Sequence, residues 1–162
     1  MSDDLAALSR VLAEPDQPQA LFRAFDAVAK RLVGHELFTL LYVYGQEVAR
    51  IYSNRPTEYP VSGRKPMGPT PWGKHVMQGK KSYLGRDKDG IRWAFFDHEL
   101  IISMGLGSAI NVPVIYDGQV IGTINLLAPE HHYREEHVAP IERIAPVIVP
   151  AFLMARAAVR KS

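Results

Sequence analysis

The chain has 162 residues and a net charge of +2, with 47% hydrophobic and 22% charged residues, the proportions of a chain able to bury a core. It has no cysteine, which excludes disulfides, thiolate metal sites, cysteine nucleophiles and thioether-linked chromophores. The small net charge leaves no footprint for nucleic acid, and no uninterrupted apolar run reaches the roughly 18 residues of a membrane span.

The acidic start Met1-Ser2-Asp3-Asp4 lacks the basic and then apolar order of a signal peptide. The expectation is one cytoplasmic domain over 1–162, with a core of about 18–158 and an N-terminal helix within 1–14. No nucleic-acid and no membrane partner is expected.

Leu5, Leu8 and Leu12, after the possible caps Ser2 and Asp3, predict a short amphipathic helix. Pro15 to Pro18 interrupt it. Leu21, Phe25, Val28 and Leu32 form the stripe of a second helix that stops at Gly34, a good residue just past a helix end. Residues 36–44 are apolar on both parities and rich in β-branched and aromatic types, which reads as a central strand covered on both faces. Gly45-Gln46 suits a type II′ turn into a second strand over 47–53.

From Asn54 to Gly73 five prolines and three glycines predict a long loop, with a short edge strand near Glu58 to Val61. Loops of this length inside a compact domain carry function or move. Residues 72–78 read as a short helix ending at Gly79, 82–85 as a short strand, and 97–104 as another short helix. Ser108 to Tyr116 and Gln119 to Leu127 flank Asp117-Gly118, a hairpin signal because type I′ turns need positive φ at both central residues. Val138, Ile141, Ile144, Ile148, Phe152, Ala155 and Val159 mark one face of a final helix. Pro140, Pro146 and Pro150 predict a break near Pro146.

The order of helices, hairpin, long loop, hairpin and helix, together with the segment Gly107 to Ala128 (GSAINVPVIYDGQVIGTINLLA) and the aromatic Tyr133 before the last helix, resembles the GAF domain. The resemblance implies an α+β fold: a PAS-like six-stranded antiparallel sheet, terminal helices on one face, and a ligand pocket under loops and short helices on the other. It implies a sensory or regulatory module for a small molecule. Without cysteine, neither bilin attachment nor the chemistry of the free methionine sulfoxide reductases is open to it. A chain of this size has no room for an output domain, so a separate partner is expected to read the signal.

Nine lysines and arginines between Arg55 and Arg92 face only Glu58, Asp87 and Asp89. This local excess of six positive charges reads as a lid attracting an anionic ligand or as a solvated polar loop. Trp72 and His75, three residues apart, share a helical face and are candidate pocket residues. The alternative for that pair is a Trp72 that plugs the core and a His75 that faces water. Trp93, Phe95 and Phe96 must bury something, either against the sheet or against a ligand. His75 and His98 are the candidate acid/base residues, although Asp97 is more simply the cap of the helix that His98 begins.

Asn111 and Asn125 interrupt apolar strands, and a buried amide needs hydrogen bonds. With a two-residue loop, Asn111 lies opposite Ile124 and the two amides face opposite sides of the sheet, with Ser108, Thr123 and Asn125 sharing one face. A bulge reverses this. The candidate ligand-binding set is Tyr44, Tyr52, Trp72, His75, Trp93, Phe96, His98, Ser108, Asn111 and Asn125.

The histidines between His131 and His137 lack metal-ligand spacing, so no metal and no cofactor are expected. The leading functional reading is a binding module for a small anionic or aromatic metabolite. Its alternatives are a cofactor-independent enzyme using His75 or His98, and a dimerisation scaffold with a filled interior. Apolar stripes on both terminal helices predict a homodimer through them.

Overall fold

The computed structural model describes residues 3–161, with side chains described through Ala158. The expected cap Ser2 and the side chain of Val159 lie outside the described residues. Helix α1 spans Asp4–Val11 and α2 spans Gln19–Val33, ending at Gly34 with φ +78°. Strand β1 (Leu37–Tyr44) turns at Gly45, φ +62°, into β2 (Glu47–Ser53). The middle of the chain holds β3 (Lys65–Pro66), α3 (Pro71–Gly73) running into a π turn over Lys74–Gln78, β4 (Tyr83–Gly85), α4 (Lys88–Ala94) and α5 (His98–Ser103).

Strands β5 (Ser108–Tyr116) and β6 (Gln119–Ala128) follow, then α6 (Val138–Ile144) and α7 (Val149–Lys161). A tight 3-10 segment over Ala145–Ile148 separates α6 from α7, the break that Pro146 imposes by lacking a donor. The six strands form one sheet in the order β3-β2-β1-β6-β5-β4, and all neighbours are antiparallel. This α+β arrangement is the expected one, and β1 is central as its doubly apolar sequence demands.

One face of the sheet is solid. Phe38, Leu40 and Tyr42 of β1, Ile110, Val112 and Val114 of β5, and Ile124 and Leu126 of β6 pack with Leu8, Phe22, Phe25, Ile141, Ile148 and Phe152 from the terminal helices. Phe22 meets Phe152 edge-on at 6.1 Å between ring centroids, a favoured geometry for aromatic quadrupoles. Gly122 makes this seat possible: a Cβ there would lie 2.1 Å from Phe152 Cε2 and 2.4 Å from the Leu41 carbonyl oxygen. The helical run 135–158 is long and apolar enough to cross a membrane by length and composition, with mean hydropathy 1.6. It contains no uninterrupted apolar run of that length, because Glu142, Arg143 and Arg156 interrupt it. Here its apolar side is spent on the core.

The hairpin turn matches its sequence, with Asp117 at φ +54° and Gly118 at φ +74°. The register beyond it does not. Val114 pairs Gly122 while Ile115 pairs Val120, leaving Ile121 as an extra residue in β6. The bulge shifts every later pair by one, so Asn111 stands directly opposite Asn125. The two amides share a face, and Ser108, Ile110 and Val112 lie on the other.

Three further local expectations are corrected. Residues 58–61 form no strand; the edge strand is β3, which pairs Lys65 with Val48 and Pro66 with Glu47. The 58–62 stretch is held by side chains instead: Arg50 stacks on Tyr59 at 3.8 Å and donates to the Pro60 carbonyl at 2.6 Å. Helix α4 was not anticipated because Gly90 sits inside it, and an interior glycine weakens a helix. It forms because the Asp87 carboxylate accepts from the Gly90 N–H at 2.9 Å. Asp97 precedes α5 but does not cap it with its side chain; its carboxylate accepts from the Tyr59 hydroxyl at 2.6 Å.

Candidate functional site

The second face of the sheet is divided into three zones. At the β1 entry Leu37, Ala109 and Leu127 support a small core with Tyr59, Ile91, Ile101 and Leu106 under α4 and α5. Tyr59 is buried, and burial followed by the Asp97 carboxylate pushes its phenol well above the usual range. This phenol therefore stays protonated and donates, which ties the loop after β2 to α5.

The middle zone is a chain of hydrogen bonds. Trp72 Nε1 donates to Asn111 Oδ1 at 3.0 Å, Asn111 Nδ2 donates to Asn125 Oδ1 at 2.8 Å, and Asn125 Nδ2 donates to Thr39 Oγ1 at 3.2 Å. All four residues are buried. Each amide is thereby satisfied without solvent, as a buried polar group must be. One pair along the sheet, Thr123 stands between Leu41 and Pro113 on the same face. It is fully buried and its hydroxyl finds no partner among the described residues.

The third zone, at the hairpin-turn end, is open. A groove of about 1140 Å³ runs between the β1–β2 turn, the β5–β6 turn and residues 67–80. Its floor includes Val43 and Val120, and its walls include Met67, Met77, Lys74 and Lys80. The covering segment is built locally. Met67 N–H donates to the Gln46 carbonyl at 2.9 Å. Thr70 caps α3 by accepting from the Gly73 N–H at 2.9 Å, with Pro71 in the first turn, where its missing donor costs nothing.

The π turn closes when the Gly79 N–H reaches the Lys74 carbonyl at 2.8 Å. A Cβ at Gly79 would lie 2.5 Å from the His75 carbonyl oxygen, so this tight approach requires glycine. Short π segments recur at functional sites.

The candidate residues divide accordingly. Trp72, Asn111 and Asn125 come together in the polar wall. Tyr44 lies under the Arg64 guanidinium, 4.0 Å from its ring centroid, and packs against the helix-side core. Tyr52 is also on that side; its hydroxyl donates to Asp26 of α2 at 2.7 Å. Ser108 faces that side too and donates to the Pro129 carbonyl at 2.8 Å. A ring nitrogen of His75 meets the Ser82 carbonyl at 2.9 Å. Trp93 is 49% exposed and stacks on Tyr83 at 5.1 Å, and Phe96 is 89% exposed. The expected burial of the whole 93–96 run therefore fails; Phe95 alone turns inward, toward Trp72. His98 is half-buried at the start of α5.

The groove residues themselves escaped the sequence reading. Val43, Met67, Met77 and Val120 carry no distinctive chemistry, and nothing short of the bulged register brings them together. The lysines were visible only as members of the basic segment. Among the described residues, the ion pairs of that segment are made by Arg55, Arg64, Arg86 and Arg92, and none involves Lys74 or Lys80.

Two histidines of 131–137, His132 and His137, serve the backbone. A ring nitrogen of His132 meets the Val33 carbonyl at 2.9 Å, and His137 Nδ1 accepts from the Arg134 N–H at 2.9 Å. Tyr133 donates to the Gly34 carbonyl at 2.6 Å. These bonds satisfy groups that helix ends leave open.

A family model for the GAF domain matches residues 15–152. Solved structures with similar folds include the GAF domain of a phosphoenolpyruvate-protein phosphotransferase from Coxiella burnetii, at 19% identity and TM-score 0.73, covering 96% of this chain and 94% of that one. The GAF domain of a two-component sensor histidine kinase from Bacillus halodurans aligns at 10% identity and TM-score 0.68, covering 88% and 97%. A region of a methyl-accepting chemotaxis protein aligns at 14% identity and TM-score 0.64, covering 96% and 99%. No curated protein matches the chain.

Proposed function

The chain belongs to the GAF family, a family of sensory and regulatory domains, and from that premise we propose that it binds a small anionic or aromatic metabolite in the groove beneath residues 67–80. One observation carries this reading. The outer face of the sheet is closed at one end by apolar packing and in the middle by the Trp72–Asn111–Asn125–Thr39 chain, yet its third zone is left as a groove of about 1140 Å³. Ligand sites are concave and combine apolar surface with oriented polar groups; this groove is lined by Val43, Met67, Met77 and Val120 together with Lys74, Lys80 and three glutamines.

In this reading Trp72, Asn111 and Asn125 brace the sheet beside the groove without lining it. Within the 54–107 segment, the residues at the groove, 67–71 and 73–80, close on the ligand while the Trp72–Asn111 bond stays made, and this changes the packing of the terminal helices in proportion to the ligand's preference for the closed state. A separate partner reads those helices. Leu5, Leu12 and Met154 are exposed on them, which supports a homodimer through the same surface. Sedimentation at high micromolar concentration is expected to show a dimer, and a monomer throughout would remove that part.

The main test is a thermal-shift screen of metabolites against the full chain and a Val43→Phe variant that narrows the groove. A ligand at 100 times its Kd stabilises by about 2.7 kcal/mol, a shift of roughly 5–10 °C in a domain of this size. The shift is expected in the parent and absent in Val43→Phe. A shift that survives the substitution would move the site elsewhere.

A further inference from the structure

We infer that the groove selects an aliphatic anion: a flexible apolar chain lies along Met67, Met77, Val43 and Val120, and its charged head is held by Lys74 and Lys80. This rests on the preceding reading and narrows its ligand class. Among the described residues, those lining the groove include no aromatic ring and no carboxylate. Without a ring there is no stacking platform, so nothing in the groove rewards a nucleobase or another planar ligand. Methionine offers the opposite property, since its unbranched, polarizable side chain adapts to a flexible partner.

The charge is equally one-sided. Lys74 begins the π turn and Lys80 follows it, and the 2.8 Å bond from the Gly79 N–H to the Lys74 carbonyl brings the two ends of the turn together. Neither lysine forms an ion pair among the described residues. Lys80 also borders a smaller cleft of about 210 Å³ that contains Glu142, but that carboxylate accepts from the Ser82 hydroxyl at 2.6 Å.

A second observation singles out Lys80. Its backbone has φ +56°, in the left-handed region that glycine adopts freely and a residue with a side chain does not. Stability alone would favour glycine there. A strained non-glycine residue beside a groove is the pattern expected where the side chain is kept for binding.

The test uses the full chain with decanoate, decanol, decyltrimethylammonium and 2-naphthoate, each below its self-association concentration, in calorimetric titrations. Decanoate is expected to bind about tenfold or more tightly than the other three, a difference of 1.4 kcal/mol or more. The double variant Lys74→Gln, Lys80→Gln is expected to bind decanoate and decanol alike. Lys80→Gly is expected to lose decanoate affinity while keeping or raising the unfolding temperature, which separates lost binding from lost folding. Equal binding of decanol, a preference for 2-naphthoate, or unchanged decanoate affinity in Lys80→Gly would each overturn the inference. If no decyl probe binds but a library compound gives a shift that Val43→Phe abolishes, the aliphatic anion is wrong and the groove stands. If no compound gives such a shift, the groove itself falls.

Discussion

The two faces of the sheet are built from the same strands and behave differently. The helix side is mainly aromatic and aliphatic, and Phe22, Phe25, Phe38 and Phe152 are fully buried in it. The outer side has a small apolar core, a line of hydrogen-bonded amides and a groove. Non-directional packing tolerates small adjustments and fills space. A chain of amides needs its donors and acceptors at fixed distances, so it holds its shape beside an empty volume. Solid packing is concentrated on the first face, and the open groove lies on the second.

The sharpest way to break this contrast is Phe152→Ala. Truncating a fully buried phenylalanine costs about 3–5 kcal/mol, and the loss is expected in urea unfolding as a lower midpoint with the helix side loosened. The outer face is expected to respond less. Asn111→Ala leaves Trp72 Nε1 without its acceptor and Asn125 Oδ1 without its donor, at a cost of about 1–3 kcal/mol. A double-mutant cycle of Trp72→Phe with Asn111→Ala is expected to show a coupling of about 0.5–3 kcal/mol. Strict additivity would mean that the indole–amide bond contributes nothing.

Gly79→Ala probes the groove wall. Its Cβ would press on the His75 carbonyl, with an expected cost of about 1–3 kcal/mol, as for other overpacked sites. Ligand-induced thermal shifts are expected to fall in this variant and to persist in Phe152→Ala at temperatures where it is folded. The opposite pattern would reverse the division of labour between the faces.

The smallest effect is expected from pH. Burial lowers the pKa of His137, aided by His132 and Arg134 and opposed by Glu136. The unfolded chain then binds more protons than the folded one just below the ordinary value of about 6.5. The stability contributed by neutral His137 is therefore present above that pH and is lost as pH falls through the folded-state value. The neutral ring is also the form whose Nδ1 accepts from the Arg134 N–H at 2.9 Å. Urea midpoints are expected to drop between pH 7.5 and 5.5 in the parent and to drop less in His137→Gln. Parallel curves would exclude His137 as the source.

Much of the architecture was legible in local chemistry. Asp117-Gly118 specified its turn, Gly34 its helix end and Pro146 its helix break, because backbone conformation at such residues is decided by their own sterics. The doubly apolar run 37–44 specified a central strand for the same kind of reason: neither of its faces tolerates water. The presence of a basic, proline-rich segment over one side of the sheet was also readable. The identity of the residues at the groove was not, and the conspicuous Trp93 and Phe96 proved to be outward.

What tertiary structure alone decided was which side chains meet. A single extra residue, Ile121, exchanges the faces of everything before it in β5 and so brings Asn111 to Asn125 instead of to Ile124. Next to the bulge, Gly122 seats Phe152, a contact between residues 30 apart in sequence. Alternation along a strand says that two residues differ in face. Only the packed register says which face is filled and which is left open, because a one-residue slip has little cost locally and is settled by the burial of the whole core.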